Sequence, residues 1–284
     1  MAVNTDPDRD PNLRVTLQRK CAGLLLEAGS VGLTLKRRLT GVAKPDARFV
    51  IFGRGRSGST LLVSMLDNHP SITCAGEVLR FRTLNPMAHL NRVLNAGGRP
   101  VSGAKLLSYQ MRTIHGMGPN TDFLRRLSNS GVTIIYLSRE NLVRHAISNI
   151  YARTQRIYHQ SGESTAGPRP ARPRINITVS QISSWIEGST KLGDYEQAVL
   201  QDVPHLPITY ESNLATATAR DVTWDNLLHH FDLKDEPLRT TMQKVTADDL
   251  RLIVANHDEL MIGLSATPYH RFLSDIDFST GPTP

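Results

Sequence analysis

Cysteine is scarce in this 284-residue chain: Cys21 and Cys74 are the only two. Two are too few for a disulfide framework or a cysteine-rich zinc site, and they suit a reducing compartment such as the cytoplasm. Aromatic residues reach only 6%, which mildly favours a sugar or other polyol ligand over a phenol. No run of five lysines and arginines occurs, nor any zinc-ligand spacing or aromatic-basic sheet motif. Nucleic acid is therefore not expected as a partner, although 33 Lys plus Arg stand against 26 Asp plus Glu. Long apolar runs are absent too. Leu24 to Leu33 is interrupted by Glu27 and lies between Arg19-Lys20 and Lys36-Arg37-Arg38, so it is too short to span a bilayer and lies too far from Met1 for a signal peptide. The expectation is a helix over residues 13 to 40 that packs on the domain or on a partner subunit. A basic helix lying on a membrane surface is the alternative, and a homodimer contact stays open.

Residues 1 to 12 read as a loose polar terminus and Gly41 to Pro45 as a linker. Short apolar runs follow at Arg48–Phe52, Ser71–Cys74, Gly103–Leu107, Val132–Leu137 and Leu206–Glu211, each a strand candidate. Helical spacing appears at 60–68, 120–129, 140–154, 178–200, 224–231 and 247–260. Residues 81 to 100 stay ambiguous because Asn-Pro and Gly-Gly-Arg-Pro interrupt them, and 159 to 174 are too rich in Gly, Pro, Ser and Arg to pack a core, which suggests a loop or lid. Two strand–loop–helix units predict an α/β fold with a central parallel sheet between helical layers.

The loop after the first strand, Gly53-Arg54-Gly55-Arg56-Ser57-Gly58-Ser59-Thr60, fits two phosphate-binding templates incompletely. Gly53, Gly55 and Gly58 satisfy G-x-G-x-x-G, with Glu77 beyond. Gly53, Gly58 and Thr60 satisfy G-x-x-x-x-G-K-[ST] except that Ser59 replaces the lysine. Both templates present backbone N–H groups at a helix amino terminus to an anion. A Mg-nucleotide site needs that lysine and an acidic residue closing a strand, whereas Val132–Leu137 closes with Ser138-Arg139. The loop therefore reads as a cradle for a terminal, highly charged group bound without metal. A kinase or NTPase is the competing enzyme class, and a surface binder of nucleic acid or phospholipid the non-enzymatic one.

Arg54 to Leu62, His69-Pro70-x-Ile72 and Gly76-Glu77, with Leu137-Ser138-Arg139 to Ser148, resemble the PAPS-dependent sulfotransferases, in particular their carbohydrate and trehalose-sulfotransferase-like bacterial branch. The resemblance runs from about residue 48 to about residue 275 and implies a P-loop-like three-layer α/β/α domain over 46–275, flanked by the segments 1–45 and 276–284. It implies that Arg54, Gly55, Arg56, Ser57, Gly58, Ser59 and Thr60 bind the 5'-phosphosulfate of 3'-phosphoadenosine 5'-phosphosulfate (PAPS), and that Arg139 and Ser148 bind its 3'-phosphate. It implies Glu77 as general base; among the chain's other residues His115 and His159 are the rival candidates. Lys105, in a G-x-K-L segment, would stabilise the sulfonate together with Arg56, and Tyr210 would enclose the nucleotide. Neither a carboxyl-terminal glycine-rich nucleotide clamp nor an amino-terminal membrane anchor is recognisable, which points to the soluble bacterial branch and leaves the acceptor (sugar, glycolipid or another small alcohol) open.

Overall fold

The computed structural model describes residues 13–41, 43–155, 173–238 and 249–274. Five strands, β1 (Ala47–Gly53), β2 (Ile72–Glu77), β3 (Val101–Leu107), β4 (Val132–Ser138) and β5 (His205–Thr209), form one sheet in the order β2-β3-β1-β4-β5. Every pairing is parallel. A parallel sheet needs a crossover between successive strands and is covered on both faces. The crossovers here are the helices α2 (Ser59–Asp67), α3 (Pro86–Ala96), α4 (Phe123–Asn129), α5 (Leu142–Gln155) and α6 (Val179–Leu200). Helix α1 (Leu13–Thr40) precedes the sheet, and α7 (Ala217–His230) and α8 (His257–Ser265) follow it.

The period-two alternation of the strands divides the core. Val50, Phe52, Ala104, Leu106, Ile134 and Tyr136 face α3, α4 and the end of α6. Their neighbours Phe49, Ile51, Val101, Ile135 and Leu137 face α2 and α7. A third cluster joins α5 to the first half of α6 and to α8. Because β1 passes to α2 on one face and β3 to α4 on the other, a crevice opens beyond the carboxyl ends of these adjacent strands. That is where open α/β sheets bind ligands.

Three segments differ from the sequence expectation. In the ambiguous 81–100 stretch, Asn-Pro starts a helix rather than breaking one: the Asn85 side chain accepts from Ala88 N–H and Pro86 takes the first helical position. The segment expected to be helical over 247–260 is instead a single 3₁₀ turn, Leu250–Leu252, followed by α8 from His257. A bridge between Ile175 and Val254 ties the intervening turn to the segment before α6, and Asn256 pairs through its side chain with both backbone groups of Ile177. The last strand stops at Thr209, whose N–H donates to the Asn213 side chain 2.8 Å away, and residues 210–214 wind into a π-helical turn. The proposed lid over 159–174 lies outside the described residues except for its last two positions.

Candidate active site

The glycine loop leaves β1 at Gly53 and turns into α2 within six residues. Arg56 (φ 65°) and Gly58 (φ 88°) both take left-handed backbone conformations. At Gly58 only glycine suits: a Cβ would come within 2.6 Å of the Tyr210 ring. Gly58 is also the N-cap of α2 and offers no side chain to the first amides of the helix. These N–H groups have no intrahelical acceptor and carry the positive end of the helix dipole. Beside them the Ser57 hydroxyl is fully buried and has no hydrogen-bond partner among the described residues. A buried, unsatisfied donor of this kind costs about 1–3 kcal/mol unless something accepts from it. Ser59 is also buried, and Thr60 is half-buried.

Residues of α5 and of the end of β4 hold the loop in place. From α5, the His145 ring lies with Nε2 2.7 Å from the Gly55 carbonyl, 4.7 Å between ring centroids from Trp185. Burial, reinforced by the charges of Arg139, Arg54 and Arg56, pushes the His145 pKa well below the usual histidine value. The ring is therefore neutral, with its Nε2–H donated to Gly55. From the end of β4, Arg139 Nη1 donates to the Arg56 carbonyl at 3.0 Å, its Nε lies 3.5 Å from Glu211 Oε1, and its guanidinium stacks on Tyr210 at 4.7 Å. From the middle of α5, the Ser148 hydroxyl accepts from Arg56 Nε and Nη2 at 3.4 and 3.3 Å. Arg56, Arg139, Ser148 and Tyr210, widely separated in sequence, thus meet around one turn.

Glu77 and Lys105 form the second half of the site. Lys105 is buried, its Nζ 3.0 Å from Glu77 Oε1 and 3.4 Å from Thr60 Oγ1. Gln110 donates to the other Glu77 oxygen at 2.8 Å and accepts from Leu107 N–H. A carboxylate, an ammonium and a helix-terminal hydroxyl accordingly line the mouth of the loop. His115 lies elsewhere, its Nε2 3.3 Å from the Leu79 carbonyl, and burial lowers its pKa. His159 falls outside the described residues.

Sequence reasoning missed a buried network beneath the loop. Arg54 Nε lies 3.2 Å from Glu196 Oε2, and Arg54 Nη1 donates to the backbone and hydroxyl oxygens of Ser189. Glu196 is wholly buried and also accepts from Ser108 Oγ at 2.6 Å and Tyr136 O–H at 3.0 Å. Burial raises the Glu196 pKa while its three donors oppose the rise. The one available signal was a lone glutamate on the sheet-facing side of an otherwise apolar turn, Tyr195-Glu196-x-x-Val199-Leu200.

Residues 48–126, from β1 into α4, match the model of the sulfotransferase family. The match covers the glycine loop, Glu77 and Lys105 and supports a sulfotransferase enzyme. Comparison with curated proteins gives no match. Among solved structures the chain is similar to the crystal structure of a sulfotransferase from Alicyclobacillus acidocaldarius, with 15% identity, 84% of this chain and 96% of that one covered, and a TM-score of 0.45.

Proposed function

We propose that the protein transfers a sulfuryl group from PAPS to a hydroxyl acceptor, with residues 46–275 as the catalytic unit. The observation that carries this reading is the convergence of an uncapped helix terminus, a buried unpartnered Ser57 hydroxyl and the Thr60–Lys105–Glu77 chain at one sheet edge. When bound, the donor supplies an activated sulfonate whose leaving group is a stable phosphate. The loop amides from Gly55 to Thr60, with the Ser57 and Ser59 hydroxyls and Arg56, suit the phosphosulfate oxygens and provide charge stabilisation without a metal ion. Arg139 and Ser148 form a guanidinium–hydroxyl clamp for the 3'-phosphate, and Tyr210 walls the nucleotide side. Arg54, engaged by Glu196 and Ser189, holds the loop from below.

Glu77 is the proton acceptor for the attacking hydroxyl. Lys105, in contact with both Glu77 and Thr60, bridges the base and the anion cradle and stabilises charge on the transferring group. Ser59 stands where a nucleotide kinase would carry its lysine, and Arg139 follows β4 where that enzyme would place an acid, so the kinase reading is not favoured.

A thermal-shift comparison tests the donor. Stabilisation by 3',5'-ADP without added magnesium is expected; stabilisation by Mg-ATP alone would favour the kinase. A labelled-sulfate transfer assay from PAPS across sugars, glycolipids and phenols then identifies the acceptor. The free cysteines, exposed Cys21 and buried Cys74, accord with a reducing, cytoplasmic setting.

A further inference from the structure

Helix α1 is inside out. It is 28 residues long, about 42 Å at 1.5 Å per residue, and it packs against α3 and the turn before α3. The face it turns inward is polar. Gly23 lies so close to the Arg82 carbonyl that no Cβ would fit there. One turn on, the Glu27 carboxylate accepts from Leu84 N–H at 2.9 Å and Asn85 N–H at 3.3 Å and pairs with Arg92. A further turn on, the buried Ser30 hydroxyl meets Arg92 Nε at 2.8 Å and His89 Nδ1 at 3.1 Å. These contacts lock the helix about its own axis, with Gly23, Glu27 and Ser30 facing the protein.

The opposite face is apolar. Leu24, Leu25, Val31, Leu35 and Leu39 are all exposed and fall within an arc of about 120° at helical periodicity, Leu25 being 73% and Leu39 78% accessible. Leu84, in the turn that Glu27 grips, is exposed at 82%. An amphipathic helix normally buries such a stripe, so this one is turned toward something outside the fold. Charge identifies the occupant. The helix carries Arg14, Arg19 and Lys20 in its first third and Lys36, Arg37 and Arg38 in its last, and its sole acid, Glu27, is turned inward. Two copies of α1 face to face would set basic segments against basic segments in either orientation. An anionic lipid surface complements both ends and accepts the leucines between them. No helix among the described residues is long and apolar enough to cross a membrane, so the contact is one lying in the interface.

We propose that the outer face of α1, together with Leu84, is a docking surface for anionic membrane lipid. The test is co-sedimentation of the full chain with phosphatidylcholine vesicles and with mixed phosphatidylcholine–phosphatidylglycerol vesicles. Binding to the mixed vesicles only, weakened by salt, is expected. Lys36→Glu should lower partitioning more than about fivefold, since it removes one favourable charge and adds an unfavourable one. Leu25→Ser with Leu39→Ser should lower it at least tenfold, as two exposed leucines no longer enter the interface. The two leucine side chains are exposed, so the melting temperature of that variant should hold, which separates lost docking from lost folding. Failure to bind the mixed vesicles, or binding that ignores both sets of substitutions, overturns the proposal. So does a dimer in sedimentation equilibrium that the leucine substitutions dissociate, which would make a second copy the occupant.

Discussion

Glu77 stands opposite Lys105 on the neighbouring strand because β2 carries one extra residue: Ala75 pairs with Ala104 and Glu77 with Lys105, leaving Gly76 unpaired between them. In an unbulged strand Gly76 would face Lys105, and the Glu77 side chain would point to the other side of the sheet. The bulge turns the carboxylate to the side on which α2 begins, where it also reaches Gln110.

Glu77→Gln should lower sulfuryl transfer by about a hundred- to ten-thousand-fold, the usual range for removing a positioned general base. Binding of 3',5'-ADP, measured by calorimetry, should change little because the cradle itself is intact. Unchanged turnover would remove the base assignment.

Arg139→Ala removes both a donor to the loop backbone and the cation stacked on Tyr210. A lost charged hydrogen bond is worth about 1.5–3 kcal/mol, which corresponds to roughly ten- to a hundredfold weaker 3',5'-ADP binding in the same calorimetric titration. Ser148→Ala, which leaves the loop carbonyls held by Arg139 and His145, should have a smaller effect.

Gly58→Ala places a methyl group against Tyr210 in a left-handed turn. A loss of about 1–3 kcal/mol is expected from the combination of backbone strain and crowding, read as a lower urea midpoint. Adding Tyr210→Ala should restore only part of it, because the φ of 88° remains.

Acidification should loosen the fold through His145. Its pKa in the folded protein is well below the ordinary 6.5, so as pH falls below about 6.5 the unfolded chain takes up a proton that the folded chain does not. Stability then declines with falling pH, by at most about 1.4 kcal/mol per pH unit for this one group. His89 and His115, also lowered chiefly by burial, act with the same sign, whereas the raised Glu196 acts with the opposite one. Comparing denaturation of the wild type with His145→Gln across pH 5.5 to 7.5 isolates the term; the variant should show the shallower decline.

Glu196→Gln leaves the Arg54 guanidinium in a nearly buried setting without its counter-charge. Breaking one side of a buried pair typically costs about 3–5 kcal/mol, which chemical denaturation would register.

The strands, the glycine loop and the Arg139-to-Ser148 segment could be read from the sequence because each is governed by neighbours along the chain: apolar alternation, turn residues, and a motif of fixed spacing. Asn85-Pro86 misled because the same dipeptide ends one helix and caps another, and only the Asn85 side chain bound to Ala88 N–H distinguishes them. The Arg54–Glu196 pair, the grip of His145 on Gly55 and the extra residue in β2 depend on tertiary packing and strand register, which spacing along one chain does not encode. The outward leucines of α1 were visible as an apolar run. Their direction was not, since it is set by Glu27 and Ser30 meeting α3 and the turn before it.

On the proposed reading, the absence of a capping side chain at Gly58 would make the ligand part of the helix it binds. An oxygen arriving at the loop completes a hydrogen-bond ladder that the polypeptide leaves unfinished, so occupancy should be legible in the backbone itself. Amide protons at Ser59 and Leu61 would exchange with solvent quickly in the empty protein and slowly in the loaded one, providing a reporter of donor binding that needs neither turnover nor a label.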